Sequence, residues 1–543
     1  MHPFLEIDYV MNENRKNRLR LYFETLCHLK PIQVGYQIYY RLCRKRGKFS
    51  VPETIPAARS VMMNRCIPTF SSYSGNNTFE FLNRAKTFKE IDWNFSDFGK
   101  LWVYNLNYFE FLNQENITKE EGLRLINDFV SKSPTHVDGY DPYPISLRII
   151  NWVKFLSRYE IHDETINRQL YSDCIRLTKN LEYHLLANHL LENGFGLLFG
   201  AYYFRDDTLY GKAAKIIRKE LKEQILKDGV HYELSPMYHQ IILSRVLDSY
   251  NLVVSNAWEV EVSLWSILDE TAQKMLSWLE NMTFDSGVIP MVNDASPGIA
   301  PETKQLLEYA RPLNIRKEKI PLRESGYRMF KNDRFELLCD VGQISPSYQP
   351  GHSHADNLNF ILHIEGIPCI VDTGVSTYEK NERRQKERSS EAHNVLVVNN
   401  ENSSQVWSGF RVGRRARTTI LQENITGVTA RHDGYRHSGI LLQRGFGMTD
   451  TQVIITDRIE GSYTDNDVRG YIHFHPDVAC VREGDAWLIN GQYIVEFTPA
   501  VKTNIESYQF AEGFNKLREA KRLVYHVMEE TTSIRIYRAN NAT

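Results

Sequence analysis

The hydrophobic period of this chain changes once, near residue 326, and no other feature limits the fold as strongly. From about residue 96 to residue 312 apolar residues recur at spacings of three and four, in segments such as ISLRIINWVKFLSRYE and SPMYHQIILSRVLDSYNLVV. Short polar breaks separate these segments. That pattern predicts successive antiparallel helical hairpins, which can curve into an incomplete (α/α) toroid with a groove along its inner wall. Beyond residue 326 short runs rich in Val, Ile, Tyr and Phe follow one another between turn residues, among them NFILHIEG, PCIVDTG, NVLVVNN and QVIITDRIEG. Strands at that spacing, with no helices between them, predict a large antiparallel β-sandwich. The expected fold is therefore α+β and multidomain. Residues 1–90 read as a basic helical arm and linker, 91–325 as the toroid and 326–543 as the sandwich.

Composition narrows the partners. The chain has 543 residues, a formal net charge of −2 and the 42% hydrophobic content of an ordinary globular protein. No global field draws it to nucleic acid, and no apolar run reaches transmembrane length. Seven scattered cysteines form no CxxC pair and suggest neither a disulfide framework nor a cysteine zinc site. The N-terminal residues lack the layout of a secretory signal, so the expectation is a cytoplasmic protein, or a periplasmic or secreted one whose signal is not in this sequence. The stretch RKNRLRLYFETLCHLKPIQVGYQIYYRLCRKRGK, residues 15–48, is basic, aromatic and helical in pattern. It fits a solvated helix face, and it also fits a membrane-surface or anionic-glycan patch.

Chemistry concentrates between Gly351 and Asn394, in GHSHADNLNFILHIEGIPCIVDTGVSTYEKNERRQKERSSEAHN. If its opening is a strand, alternation puts His352, His354 and Asp356 on one face. Strand ends then deliver His354, Asp372 and His393, two imidazoles and a carboxylate that suit Zn²⁺ or a similar borderline cation. With 17 His in the chain, a chance gathering fits the spacing too.

The helical half carries further candidates. Asn188, His189 and Glu192 lie in HLLANHLLENGFGLLFGAYYF, where Gly196 and Gly200 would let a neighbouring helix approach closely. In HYELSPMYHQ, Ser235-Pro236 reads as N-cap and first helical residue, which puts Tyr238 in the first turn, with Glu233 and His239 beside it. The positive end of that helix slightly favours a tyrosinate there. Asn105 in YNLNYF, and Arg148 with Trp152 in SLRIINW, suit a sugar carboxylate and a sugar ring, and suit interhelical packing equally well. His473 and His475 read as one half-exposed strand face.

In combination, the ANH helix, the SPMYH opening and the GHSHAD…VDTG…EAHN block resemble the heparinase II/III family of polysaccharide lyases over roughly residues 90–540. The resemblance implies elimination on a uronic-acid-containing polysaccharide, leaving a 4,5-unsaturated uronate end. It implies that Asn188 meets the uronate carboxylate, that Tyr238 serves as acid or as both base and acid, and that His352 takes part in catalysis. It further implies Zn²⁺ held by His354, Asp372 and His393, and His189, Glu233, His239 and Arg388 are expected among the substrate contacts. Some relatives carry one more tyrosine between the DxG and HN motifs. Tyr378 lies in that interval at a distance from His393 that does not match, and no role is assigned to it. Three other readings stay open: a metal-dependent hydrolase, a toroid glycosidase using Glu192 and Glu233, and a non-catalytic glycan-binding or polymer-biosynthesis protein.

Overall fold

The computed structural model describes residues 15–43, 53–258, 262–461 and 466–539. Two helices come first, α1 (Arg15–Leu26) and α2 (Pro31–Cys43). Residues 55–70 then run over the helical body without regular structure, tied down by backbone contacts such as Asn64 N–H to Asn251 Oδ1 at 2.9 Å. The expected linker also contains a small hairpin, Thr78–Phe81 with Arg84–Thr87.

The helical domain follows as α3 (Lys100–Tyr108), α4 (Lys119–Ser131), α5 (Pro142–Arg158), α6 (Glu164–Thr178), α7 (Ala187–Phe204), α8 (Asp207–Gln224), α9 (Pro236–Ser255), α10 (Val262–Met282) and α11 (Thr303–Ala310). Asp163 and Asp206 cap α6 and α8 by accepting the backbone N–H three residues on, which helps set where these helices begin. Helices α5 and α7 approach each other closely. A Cβ on Gly196 would stand 2.8 Å from Ser146 Cα, so only glycine admits the crossing at that point.

From Tyr327 onward the chain is β, apart from a short helix, α12 (Glu382–Glu387), and isolated turns. One antiparallel sheet orders Thr418–Asn424, Gly427–His432, Ile440–Met448, Gln452–Gly461, Thr531–Arg538, Tyr493–Thr498, Ala486–Ile489 and Cys480–Glu483. Strand Ile440–Met448 alternates buried and half-buried residues along its whole length, the pattern of a sheet with one face in a core. Two four-stranded sheets complete the sandwich. The helical and β halves keep separate cores, joined by a third apolar cluster of Val230, Leu234, Trp278, Met282, Phe284, Val292, Tyr327, Leu338 and Ile361.

Two strand expectations are corrected. His352, His354 and Asp356 lie in a loop, and the strand starts only at Phe360. Turn-forming Pro350, Gly351, Asp356 and Asn357 hold that segment, with Ser353 N–H bonded to Pro350 O and Asn359 N–H to Asp356 O. His473 is fully buried rather than half-exposed, because its strand is interior to its sheet and Tyr508 packs edge-on against the ring at 4.9 Å.

Candidate active site

Local backbone strain marks the place. The chain enters α7 through Leu186 (φ 61°) and Ala187 (φ 54°), Glu233 precedes Leu234 (φ 55°), and Asp294 follows Asn293 (φ 52°). A non-glycine residue in this region costs of order 1–3 kcal/mol and persists where the surroundings aim a side chain. Ala187, Leu234 and Asn293 each adjoin a polar side chain of one site. The loop carrying Asn293 and Asp294 is its node. Asn293 Oδ1 accepts from His354 N–H at 3.0 Å, and Ser235 Oγ, the N-cap of α9, donates to Asp294 O at 2.9 Å.

The side chains converge on a cavity of about 620 Å³ between the helical domain and the sandwich. Asn105, Asn188, His189, Glu233 and Tyr238 line it from the helical side, and His352, Tyr378 and Arg415 from the sandwich side. Asn188 Nδ2 donates to both oxygens of Glu233, at 2.8 and 3.1 Å. His352 Nε2 stands 3.7 Å from Glu233 Oε2, and its ring lies 4.0 Å from that of Tyr238. The Tyr238 hydroxyl is 3.4 Å from that of Tyr378. His189 is held by Glu182 at 3.1 Å and leans on Tyr143.

Behind His352 sits a fully buried carboxylate, Asp294. It accepts from His352 Nδ1 at 2.8 Å, from His354 Nε2 at 2.9 Å and from both terminal nitrogens of Arg384 at 2.5 and 2.6 Å. Burial opposes its charge, but the Arg384 guanidinium and the two imidazoles hold its carboxyl well below the usual carboxylate range. A charged carboxylate can only accept. Neutral His352 therefore carries its proton on Nδ1 and turns the Nε2 lone pair to the cavity. Tyr238 is pushed the other way. Burial raises its hydroxyl above the ordinary 10, with Asp294 and Glu233 adding to the rise and Tyr378 and Arg384 opposing it. The tyrosinate expected from the helix end is not favoured here, because desolvation outweighs a partial charge at the helix terminus.

Four expected substrate contacts lie elsewhere. Arg148 is fully buried, bonded to Asp173 at 2.8 Å and to Gly139 O at 2.8 Å. Trp152 is a core ring packed edge-on to Phe109 and Phe129. His239 is buried against Met275 O, and burial depresses it to about 3. Arg388, lowered by burial to about 9, ties α12 to Ser353 O and so braces the loop that carries His352. Three residues not singled out as functional in the sequence belong to the site: Asp294, Arg384 and Tyr378. None lies on a periodic face. The polar Asn-Asp pair inside IPMVNDASPG was the one available signal.

His354, Asp372 and His393 do come near one another, as hydrogen-bonded pairs. His393 Nδ1 bonds Asp372 Oδ2 at 2.7 Å, His354 is held by Asp294, and the two imidazole rings are 5.2 Å apart. Among the described residues no three His, Cys, Asp or Glu side chains are arranged to hold a metal ion together. The chemistry of the donors nevertheless suits a cation, since His354 Nδ1, His393 Nε2 and Asp356 Oδ2 are buried acceptors with no donor.

Comparison with known proteins bears on the family and the fold. The family model "Heparinase II/III N-terminus" matches residues 180–313 and "Heparinase II/III-like, C-terminal" matches residues 314–537, so the two run on without a break. A heparin-sulfate lyase of Bacteroides stercoris is 24% identical over a 259-position alignment that covers 42% of this chain and 38% of that protein. One from Pedobacter heparinus is 25% identical over a 256-position alignment that covers 40% of this chain and 38% of that protein. The aligned stretch thus spans well under half the length of either curated relative. The crystal structure of a heparinase III superposes with a TM-score of 0.66 at 14% identity, covering 98% of this chain and 93% of that one, which shows a shared fold.

Proposed function

The chain belongs to the heparinase II/III-like family, and from that premise we propose that it is a polysaccharide lyase acting on a uronic-acid-containing glycan of the glycosaminoglycan type. The observation that carries the reading is the His352–Asp294–Arg384 arrangement facing Tyr238 across one cavity. Elimination needs a base at C5 and an acid at O4 of the uronide. His352 Nε2, whose lone pair Asp294 keeps free, takes the C5 proton. Tyr238, kept protonated by burial, gives its proton to O4 as the C4–O4 bond breaks and the C4–C5 double bond forms. Tyr378, hydroxyl to hydroxyl with Tyr238, lies on the path by which that proton is replaced.

The substrate carboxylate is placed at the Asn188 end. There it displaces the Glu233 contact and meets a neutral amide, which favours the enolate-like transition state by ~3 kcal/mol. Zn²⁺ is the cation we assign to His354 and His393, with Asp356 or Asp372. When bound, it supplies fixed positive charge beside the His352 loop, and the elimination itself asks no water activation of it. Metal analysis of the purified protein should find about one ion per chain, and His393→Ala should remove it. A metal-free wild-type protein would end that assignment.

The deciding experiment offers a panel of uronic-acid polysaccharides, heparan-type chains first, and follows the ultraviolet absorbance of the unsaturated product. Wild type should give a rise that Tyr238→Phe reduces by ~10²-fold or more. A rise that survives in Tyr238→Phe removes Tyr238 from the chemistry. Reducing ends released without absorbance would replace elimination by hydrolysis.

A further inference from the structure

Helices α1 and α2 each have an inner and an outer face. The inner face packs on both halves of the molecule. Trp407 Nε1 donates to Thr25 Oγ1 at 3.2 Å, and Tyr22 meets the Trp407 ring edge-on at 5.1 Å. Gln33 Nε2 donates to Leu185 O at 3.3 Å, and Tyr36 stacks on Tyr183 at 4.8 Å. The same inner face lines the cavity at Tyr22, Thr25, Leu29, Gln33 and Gln37.

The outer face is apolar and exposed. Leu19 and Phe23 lie four apart along α1, and Val34, Ile38 and Leu42 follow at steps of four along α2. These spacings give one stripe on each helix. Phe23 is 72% and Leu42 78% exposed, although folding ordinarily hides such side chains. The surrounding sequence is cationic. Residues 15–48 contain ten Lys and Arg against one acid, Glu24, in a chain whose net charge is −2.

We propose that α1 and α2 dock the protein on an anionic lipid surface. A bilayer interface takes both features at once: the apolar stripes enter the boundary between headgroups and acyl chains while the cations meet anionic headgroups. A second copy of this chain would cover the stripes, but it would bring the two cationic arms together. An anionic polysaccharide would meet the charge and leave Phe23, Ile38 and Leu42 in water. No described helix is long and apolar enough to cross a membrane, so the contact is peripheral. Docking face and cavity wall are then neighbouring faces of one helix pair. This inference is independent of the lyase reading.

The test is co-sedimentation of the full chain with vesicles of phosphatidylcholine alone or mixed with phosphatidylglycerol. The variant is Phe23→Glu/Ile38→Glu/Leu42→Glu, checked for unchanged circular dichroism and melting temperature. Wild type should bind the phosphatidylglycerol vesicles about tenfold more than the neutral ones, less so as salt rises. The triple variant should lose about tenfold of that binding. The proposal is overturned if wild type fails to sediment, or if the folded variant sediments as wild type does. It is equally overturned if light scattering shows a dimer that the variant dissolves while vesicles bind neither protein, or if only soluble anionic glycan binds.

Discussion

Asp294 is where one side chain does the most. It fixes the His352 tautomer, anchors His354 and neutralises Arg384, all without exposure to solvent. Asp294→Asn keeps its shape and loses its charge. The Nδ1 proton of His352 is then no longer dictated, and Arg384 is left buried beside a neutral amide. We expect kcat to fall by ~10²-fold or more with a much smaller change in KM, and the acid limb of the pH–rate profile to move. The melting temperature should fall as well, since removing one partner of a buried ion pair typically costs about 3–5 kcal/mol. A variant with wild-type kcat and pH profile would reduce Asp294 to a structural role. At this scale the placement of Tyr238 was legible, because the cap and proline that start its helix are written beside it, whereas Asn188 and His352 were singled out only by the resemblance of their motifs to a family. Arg148, Trp152, His239 and Arg388 were misread for one physical reason. A polar or aromatic side chain on a helix looks the same in sequence whether it faces a cavity or a buried partner such as Asp173 or Met275 O.

Among the elements, the pairing of α5 with α7 positions Asn188. Gly196 lies two turns beyond it and lets the helices close up. Gly196→Ala would push a Cβ against the Ser146 backbone, which cannot swing aside as a flexible side chain can. The expected loss is about 1–3 kcal/mol, read as a lowered urea midpoint. Activity should fall with it, because moving α7 moves Asn188. An unchanged midpoint would show that the helices tolerate separation. The Ser235-Pro236 start of α9 came straight from local chemistry: a hydroxyl to accept the Tyr238 N–H and a proline where no N–H is needed. The loop that carries His352 was taken for a strand because alternating polar residues satisfy that pattern equally. What decides it is the set of turn bonds and the bracing by Arg388.

For the molecule as a whole, buried histidines set the acid limit. His136, His231, His363 and His432 are lowered by burial from the ordinary 6.5 to about 4. Folded, these rings stay neutral through a range in which the unfolded chain takes up protons. Their contribution is therefore fully present above pH 6.5 and is lost as the pH falls from 6.5 towards 4. Urea midpoints should decline steadily across that window, and His432→Gln should shallow the decline; a flat profile would contradict it. The sequence by itself determined the two-part architecture and the helix start that carries Tyr238, because hydrophobic period and helix capping act over a few residues. Only the tertiary structure decided that Asp294, Arg384 and Tyr378 share one site and which face of the N-terminal helices stays uncovered. Those contacts join segments about 60 to 140 residues apart, and no local pattern encodes what packs across such a distance.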